Sequence, residues 1–244
     1  MARLRFLGTG NFQANGRYWN SFLIDDRVLA ETSPTVLPHL RRADVDLAGI
    51  EAVFLSHFHA DHTFGWPFLL MEYLIGVGRT TPLHVVGPPE VETFLVALEA
   101  AGSLTPDFDE LRARGQLDLR YVEATGELQQ AGSIAFRAER VEHVPHLECF
   151  GFVWPDGEGT TVAYSGDTRW CDGLRRLATA ADVLVVEYQG PHSTHPAHLD
   201  LDGLRRLRAE FPDLPLILTH LGPDTGVDGL PGIHVADDFE IIEV

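Results

Sequence analysis

The stretch "LSHFHADHTFG", residues 55–65, begins at the end of the apolar run "EAVFLS" and contains three histidines and an aspartate within six positions. These residues are His57, His59, Asp61 and His62. Near neutral pH, imidazole is the commonest metal ligand in proteins, and a carboxylate beside it suits zinc-like ions. The apolar run is typical of a buried strand, and the loop after a strand end lets side chains converge. The stretch therefore predicts one part of a metal site.

The remaining ligands are expected at strand ends as well. His143 follows "SIAFRAERVE", Asp167 follows "TTVAYSG" and His220 follows "LPLILT". Taken singly, each has an ordinary explanation: a capping Asp, or a His that is hydrogen-bonded at a strand edge. Taken together, they repeat one arrangement, in which a strand brings a donor residue to a common rim. The seven residues therefore predict a complete metal site.

Strand-like and helical patterns alternate along the chain, which indicates sheets covered by helices, an α/β arrangement. Strands are predicted at residues 3–8, 21–25, 27–31, 51–56, 83–87, 117–124, 133–142, 149–154, 160–166, 182–188 and 214–219, and helices at 34–43, 63–77, 89–101, 170–180 and 200–210. The helix at 63–77 is apolar nearly all round, which favours a core helix over a pocket wall. No repeat or linker divides the chain, so residues 1–244 are expected to form a single domain.

The composition is that of a globular protein, with 45% hydrophobic and 22% charged residues. No apolar run is long enough for a signal peptide or a membrane span, so the expected location is the cytoplasm. Cys149 and Cys171 form no CxxC pair and are expected to be ordinary small apolar residues.

The charge balance argues against polyanionic partners. The chain has 36 acidic and 18 basic residues, a formal charge of −18, and every basic residue is an arginine. Such a chain repels nucleic acid at long range and lacks the basic stripe that nucleic-acid binders use. A small-molecule substrate is therefore favoured over RNA or DNA.

The order of the seven donors resembles the metallo-β-lactamase fold hydrolases, which have an HxHxDH motif, a separate His, an Asp and a late His, each at a strand end. The resemblance covers nearly the whole chain. It implies an αββα sandwich of two mixed β-sheets flanked by helices, and two divalent metal ions. The implied ligands are His57, His59 and His143 for one ion, and Asp61, His62 and His220 for the other, with Asp167 bridging.

The resemblance also implies hydrolysis by a hydroxide that bridges the two ions, since paired metals generate a nucleophile at neutral pH and clamp the attacked group. Asp61 is then both a ligand and a catalytic residue. The donor set suits Zn²⁺ best, and Mn²⁺, Fe²⁺ or Ni²⁺ would be accepted by the same residues.

Within the family, the local resemblance is to ribonuclease Z and its small phosphodiesterase relatives. It is carried by "FLGTGNFQANGRYWNSFLID", "HVPHLECFGFVW", "AYSGDTRWC" and "VVEYQG". In that group a Glu on a strand and a His before the next helix together protonate the leaving oxygen. Glu187 fits the first role. His192, His195 and His198 are candidates for the second, and His198 is favoured because it immediately precedes the predicted helix.

Three other residues are candidates for supporting roles. Arg17 and Asn20, in "NGRYWNS", lie in the loop after the first strand and are predicted to bind substrate, with surface solvation as the alternative. Glu31 stands where the family has an Asp that supports the ligand histidines from behind; an ordinary structural role is equally compatible with the sequence.

Several branches of the family are disfavoured by single features. The best-known zinc β-lactamases have Cys where Asp167 stands, and flavodiiron proteins have Glu where His59 stands. Thioesterases such as glyoxalase II share the ligands but usually have a basic C-terminal region. Ribonuclease Z usually carries a glycine- and proline-rich arm between the motifs that correspond to His143 and Asp167, and only residues 144–166 lie there in this chain. Processing of tRNA is therefore not expected.

The sequence thus predicts a dinuclear phosphodiesterase that acts on a small phosphodiester or cyclic phosphate. A carboxylic ester, lactone or thioester hydrolase is the alternative on the same site. A non-catalytic metal-binding or interaction module is the alternative of another class, and the presence of all seven donors argues against it. The resemblance also allows a homodimer, in which a partner's surface would have to supply any grip on nucleic acid.

Overall fold

The computed structural model describes residues 1–102, 110, 117–155, 159–192 and 195–244. In this part of the chain, fourteen strands form two sheets of seven. The first sheet contains β1 (Arg3–Gly8), β2 (Ser21–Ile24), β3 (Val28–Ala30), β4 (Ala52–Phe54), β5 (Leu83–Gly87), β6 (Leu119–Glu123) and β14 (Ile241–Glu243). The second contains β7 (Leu128–Ala131), β8 (Ile134–Val141), β9 (Cys149–Trp154), β10 (Val162–Tyr164), β11 (Val183–Glu187), β12 (Leu216–Thr219) and β13 (Ile233–Val235).

Both sheets are mixed. The first has the order β14-β1-β2-β3-β4-β5-β6 and the second the order β13-β12-β11-β10-β9-β8-β7. In the first sheet, pairing is antiparallel from β14 to β3 and parallel from β3 to β6. In the second, it is antiparallel from β7 to β10 and parallel from β10 to β13. The strands β8, β10, β11 and β12 therefore all run the same way, and their carboxyl ends reach one rim.

Helices cover the outer faces of the sheets. They are α1 (Val36–Arg42), α2 (Ala60–Thr63), α3 (Trp66–Met71), which continues as a π-helical turn (Glu72–Val77), α4 (Val91–Ala101), α5 (Asp172–Ala180) and α6 (Leu201–Glu210). Against the first sheet, α1, α3 and α4 bury one apolar cluster, and against the second sheet α5 and α6 bury another. The predicted αββα sandwich of two mixed sheets is confirmed.

Aromatic side chains dominate the layer between the two sheets. Phe54 of the first sheet packs edge-to-face on Phe136 and Phe152 of the second, with ring centroids 5.0 and 5.1 Å apart. Truncating one such ring to alanine costs about 3–5 kcal/mol in a packed core. The two sheets are therefore held together by specific packing beneath the rim.

The predicted helix at 63–77 is wrong as a single continuous element. Its first turn begins earlier, at Ala60, and the chain then breaks at Gly65, where a Cβ would meet the carbonyl oxygen of Ser33 at 2.0 Å. Pro67, which has no N–H to donate, stands in the first turn of the next helix. One face of the segment is buried as predicted, whereas Phe68 on the other face is 58% exposed.

The strands β7, β13 and β14 were not predicted from the sequence. Each is short and lies at a sheet edge, where few of its side chains are buried. The last of them, β14, pairs with β1 in the register Leu4 to Ile242, so the C-terminal segment completes the first sheet. Within the described ranges, no helix combines the length and apolar character needed to cross a membrane.

Candidate metal centre

The stretch of residues 55–65 leaves β4 as a loop and continues into α2. His57 is fully buried, and its Nδ1 lies 2.9 Å from the hydroxyl of Ser56. Asp61 and His62 belong to the first turn of α2, and His59 is its N-terminal flanking residue. The change from strand to loop to helix turns all four side chains toward the rim.

One group of donors comprises His57, His59, His143 and Asp167, whose ligand atoms lie within 4.8 Å of one another. His57 Nε2 lies 2.9 Å from His59 Nδ1, and His143 Nε2 lies 3.3 Å from that same atom. The backbone carbonyl of Ala197 accepts a hydrogen bond of 3.0 Å from His143 Nδ1, which leaves Nε2 free to bind a metal.

A second group comprises Asp61, His62 and His220. The Asp61 Oδ2 atom lies 3.5 Å from His62 Nε2 and 3.3 Å from His220 Nε2. His220 directly follows β12 and adopts a left-handed backbone conformation (φ +48°), which is unusual for a residue other than glycine. The strain is consistent with a residue that is held for its function.

Asp167 belongs to the first group and also faces the second. Its Oδ2 atom is 3.9 Å from both His57 Nε2 and His143 Nε2. Its Oδ1 atom is 3.5 Å from His62 Nε2 and 3.4 Å from His220 Nδ1. Each carboxylate oxygen thus faces a different donor group, which is the placement that a bridging ligand requires.

Buried polar atoms without a hydrogen-bond partner also indicate that the donors suit divalent metal ions, and this observation does not depend on the order of the donors in the chain. His62 Nε2 and Asp167 Oδ1 are buried and lack a hydrogen-bond partner among the described residues. Leaving such groups unsatisfied costs about 1–3 kcal/mol each, and native proteins rarely do so. Imidazole and carboxylate donors around these atoms would be satisfied by a bound cation.

Charge and burial keep Asp61, Asp167 and His143 in the forms that bind metal, whereas at His62 the neighbouring carboxylates outweigh burial and raise the pKa well above its usual range, so a bound cation would displace a proton there. Burial raises the pKa of Asp61, but the neighbouring His62 and His220 outweigh it and hold this pKa at about 2. The pKa of Asp167 is also held well below its usual range, since His220 and His62 outweigh the effect of burial. Burial lowers the pKa of His143 to about 4. At neutral pH the carboxylates are therefore ionised and His143 is neutral.

Glu31 lies behind the ligand histidines. It is fully buried, its Oε1 atom is 3.4 Å from His62 Nδ1, and its carboxylate accepts a 3.3 Å hydrogen bond from the backbone N–H of Ser56. A carboxylate in this position fixes the orientation of an imidazole ligand. Glu31 thus lies beside His62, and its supporting role stays a prediction.

His198 and Glu187 form a pair beside the donors. His198 Nδ1 donates to the Glu187 carboxylate, at 2.9 and 3.0 Å from its two oxygens, and lies 3.8 Å from Asp167 Oδ2. Burial lowers the pKa of His198, but the charge of Glu187 and its hydrogen bond outweigh this effect and raise the pKa to about 9. The Glu187 carboxylate therefore favours the protonated form of His198.

The other two candidate histidines are placed differently. His192 has a side chain that is 87% exposed, and its Nε2 lies 3.8 Å from Asp224 Oδ2. His195 lies next to His198, with ring centroids 5.1 Å apart. Residues 193 and 194, between His192 and His195, lie outside the described residues. Of the three, only His198 contacts Glu187.

The structure does not bring Arg17 and Asn20 to the donor cluster. The Arg17 guanidinium donates to the carboxylate of Asp237 and the carbonyl of Ala236, both in the C-terminal segment. The Asn20 side chain is buried between Tyr164, to which it donates, and Thr219, from which it accepts. Both side chains are engaged in holding the loop to the rest of the protein.

A cavity of about 350 Å³ opens above the donors. It is lined by Phe12, His59, Ala60, Asp61, His143, Val144, Asp167, His195, His198 and His220. Phe12 was not predicted from the sequence, although an aromatic residue in the loop after the first strand was a visible signal. Gln189 was also missed: its Nε2 donates to the carbonyl of His220 and lies 3.2 Å from His220 Nδ1.

The chain belongs to the beta-lactamase superfamily, whose domain model matches residues 26–221. An uncharacterised protein of Mycobacterium tuberculosis is 32% identical over 178 residues, covering 71% of this chain and 62% of the relative. A ribonuclease Z of Bacillus licheniformis is 28% identical over 182 residues, covering 57% of each chain. The chain spans about 60% of the length of the curated relatives it matches.

Solved structures share the fold over the whole chain. The metallo-beta-lactamase fold protein YhfI from Bacillus subtilis has a TM-score of 0.76 and 21% identity, and the match covers both chains completely. A diphosphatase from the PhnP family has a TM-score of 0.74 and 20% identity, with 100% of this chain and 98% of the other covered. The chain thus has the metallo-β-lactamase fold.

Proposed function

We propose that the protein is a dinuclear metal-dependent hydrolase that cleaves a small phosphodiester or cyclic phosphate. One observation carries the proposal: the two oxygens of Asp167 face two separate donor groups, and the His198–Glu187 pair stands beside them. Two metal sites that share a carboxylate, next to a protonated imidazole, suit attack by water with protonation of a leaving alcohol.

Seven side chains would hold the ions. His57, His59 and His143 would bind one ion, Asp61, His62 and His220 the other, and Asp167 both. Bound divalent ions supply Lewis acidity, which makes water a stronger nucleophile and neutralises charge on the attacked phosphate. Zn²⁺ suits this donor set, and Mn²⁺, Fe²⁺ and Ni²⁺ are also compatible with it.

The chain's own proton donor is His198. Its Nδ1 is occupied by Glu187, so its Nε2 carries the proton that the leaving oxygen receives. In the reaction, the bond from phosphorus to the alcohol oxygen breaks and a bond to the water oxygen forms. The alcohol leaves with the proton of His198, and a proton from water restores the imidazolium. Glu187 is a positioning residue, since it contacts His198 and does not line the cavity above the donors.

The choice of a phosphate ester over a carboxylic ester as the substrate rests on proteins to which the chain is similar. Two of them, a ribonuclease Z and a diphosphatase from the PhnP family, are named for the cleavage of phosphate esters or anhydrides. A carboxylic ester, lactone or thioester is the second candidate, because an attacked carbonyl also becomes an oxyanion between two cations. The net charge of −18 supports a small substrate over RNA.

The test is hydrolysis of bis(4-nitrophenyl) phosphate and of a 4-nitrophenyl carboxylic ester by protein reconstituted with Zn²⁺ or Mn²⁺. We expect turnover of the phosphodiester and its loss in Asp167→Ala, with metal content measured in parallel. His234→Ala is the matched control, since His234 is a half-exposed histidine that contacts Glu240 outside the cluster. Turnover of the ester alone would overturn the phosphodiester assignment, and absence of bound metal would overturn the dinuclear site.

A further inference from the structure

The side chain of Gln189 connects three segments of the chain that meet beside the donors. Gln189 follows β11, and its amide lies between Asn11, from the loop after β1, and His220, which follows β12. Its Oε1 atom accepts a hydrogen bond of 2.8 Å from Asn11 Nδ2, and its Nε2 atom donates one of 3.2 Å to the backbone carbonyl of His220. The same Nε2 atom lies 3.2 Å from His220 Nδ1. One amide therefore contacts both the backbone and the ring of a candidate metal ligand.

A backbone N–H determines how the two amides are oriented. Gln13 donates from its backbone to Asn11 Oδ1 at 3.0 Å, so the NH₂ group of the buried Asn11 is turned toward Gln189. The atom of Gln189 that faces this NH₂ group has to be an acceptor, Oε1, since an amide offers one acceptor and one donor end. The NH₂ group of Gln189 is thereby turned toward His220. The two amides form one ordered chain that ends at His220.

The backbone of the Gln189 segment is held independently of this chain. The N–H of Gln189 donates to the carbonyl of Leu199 at 2.9 Å. Its own carbonyl oxygen packs so closely on Gly222 that a Cβ there would meet it at 2.2 Å. Truncation of the Gln189 side chain would therefore remove the contact with His220 while these backbone contacts remain.

His220 is the member of the second donor group that most needs support. Its φ of +48° is a strained conformation for a residue other than glycine, and such conformations persist where the surrounding structure determines them. Asp61 and His62 lie together in one turn of α2, whereas His220 comes from the other sheet. A small displacement of His220 would thus separate it from the two other donors of its group. Among the described residues, the hydrogen bonds of the Gln189 side chain reach Asn11 and His220 and no donor of the first group.

We propose that Asn11 and Gln189 are positioning residues that hold His220 for one ion only, the ion of the second donor group. The loop after β1 then sets the affinity of that group, although it supplies none of its donors. This inference rests on the two-ion site of the proposed function. It does not depend on which ester is hydrolysed, so binding and hydrolysis can be tested separately.

The binding test titrates Zn²⁺ into the apo protein in competition with a chromophoric chelator. Loss of a residue that orients a metal ligand typically weakens metal binding by about 10- to 100-fold. We expect Gln189→Ala to weaken the binding of one Zn²⁺ by about this factor and that of the other by less than about threefold. Gln189→Met, which keeps the length of the side chain without its hydrogen bonds, should have the same effect. Asn11→Ala combined with Gln189→Ala should cost no more than Gln189→Ala alone, because the two amides act in series.

NMR of the histidine ring nitrogens identifies which donor group has lost its ion. Protein labelled with ¹⁵N in histidine is titrated with Zn²⁺, and the ring signals of His143 and His220 report the first and the second group. In the wild type we expect both signals to shift by two equivalents of Zn²⁺. In Gln189→Ala, His143 should shift as before, and His220 should shift only with excess Zn²⁺. A general loss of structure would change both signals.

Gln129→Ala is the matched control. The Gln129 amide also joins two backbone groups, the carbonyl of Glu123 and the N–H of Thr125, in a turn between β6 and β7 that contributes no donor. Equal weakening in Gln129→Ala and Gln189→Ala, equal loss of both ions, or unchanged affinity in Gln189→Ala would overturn the inference. Binding of a single Zn²⁺ by the wild type would overturn it together with the two-ion site. Zn²⁺ binding that depends on Gln189, without hydrolysis of either ester, would overturn only the proposed hydrolysis.

Discussion

At the scale of single residues, the His198–Glu187 pair predicts how kcat depends on pH. Burial opposes the charge on His198, but Glu187 outweighs it and raises the pKa to about 9. The proton donor is therefore present below this pKa and is lost as the pH rises through it. We expect kcat for a phosphodiester with a poor leaving group to fall on the alkaline side. In Glu187→Gln this decline should begin at lower pH, because the charge that raises the pKa is gone.

The measurement is the pH profile of kcat for methyl phenyl phosphate in the wild type, Glu187→Gln and His198→Ala. His198→Ala should lose about 10²- to 10⁴-fold in kcat, as for removal of a general acid. Its loss should be smaller with 4-nitrophenol as the leaving group, which needs less protonation. An unchanged profile in Glu187→Gln, with metal content intact, would contradict the proposed role of the pair.

The sequence was sufficient to predict which residues form the cluster, because ligand chemistry and position at a strand end are both visible in it. The sequence was not sufficient to predict where the side chains of Arg17 and Asn20 lie. Their partners, Asp237 and Thr219, lie about 200 positions away in the chain, and only the fold reveals that these side chains are engaged there. A loop residue's partners are set by tertiary structure rather than by local pattern.

At the scale of elements, the loop between β1 and β2 is held closed by one carboxylate of the C-terminal segment. Asp238 Oδ1 accepts hydrogen bonds of 2.9 Å from the backbone and the hydroxyl of Thr9, and its Oδ2 accepts one from the backbone of Tyr18. Thr9 and Tyr18 are the two ends of the loop segment that carries Phe12. Asp238 therefore fixes the position of Phe12 without lining the cavity itself.

Asp238→Asn should raise KM for a 4-nitrophenyl phosphodiester severalfold and leave kcat nearly unchanged, because it loosens the loop and leaves the donors in place. Steady-state kinetics would measure the separation of KM from kcat. Asp118→Asn is the matched control: its side chain is 48% exposed, and its ion pair with Arg120 lies at the surface beside β6, where such pairs contribute about 0–1 kcal/mol. A parallel loss of kcat and metal in Asp238→Asn would instead indicate damage to the centre.

Strands were predicted correctly where the apolar pattern of the sequence was strong, as in β8 and β9. The prediction of strands failed where their side chains are only partly buried. β7 and β14 are edge strands with exposed Leu128 and Ile241, so their apolar residues show no strand-like alternation. The break at Gly65 was missed for another reason: the contact that requires glycine there is with Ser33, and it exists only after α1 and α3 have packed.

At the scale of the whole molecule, the candidate metal centre lies where the two sheets meet. His57, His59, Asp61 and His62 follow a strand of the first sheet, whereas His143, Asp167 and His220 follow strands of the second. Both donor groups contain residues from both sheets. Bound cations would therefore link the two halves of the sandwich, in addition to the aromatic packing between them, and would offset part of the negative charge that converges at the rim.

Metal removal should consequently destabilise the fold as well as abolish activity. An ion present at about 1,000 times its Kd stabilises the folded state by about 4 kcal/mol. At roughly 2–4 °C per kcal/mol for a chain of this size, complete chelation should lower Tm by roughly 10 °C. Thermal unfolding monitored by circular dichroism, with metal content measured on the same samples, provides the test. His234→Ala should show the full shift and Asp167→Asn a smaller one, because the carboxylate of Asp167 faces imidazoles of both donor groups. An identical Tm before and after complete loss of metal would contradict the view that the ions link the two sheets.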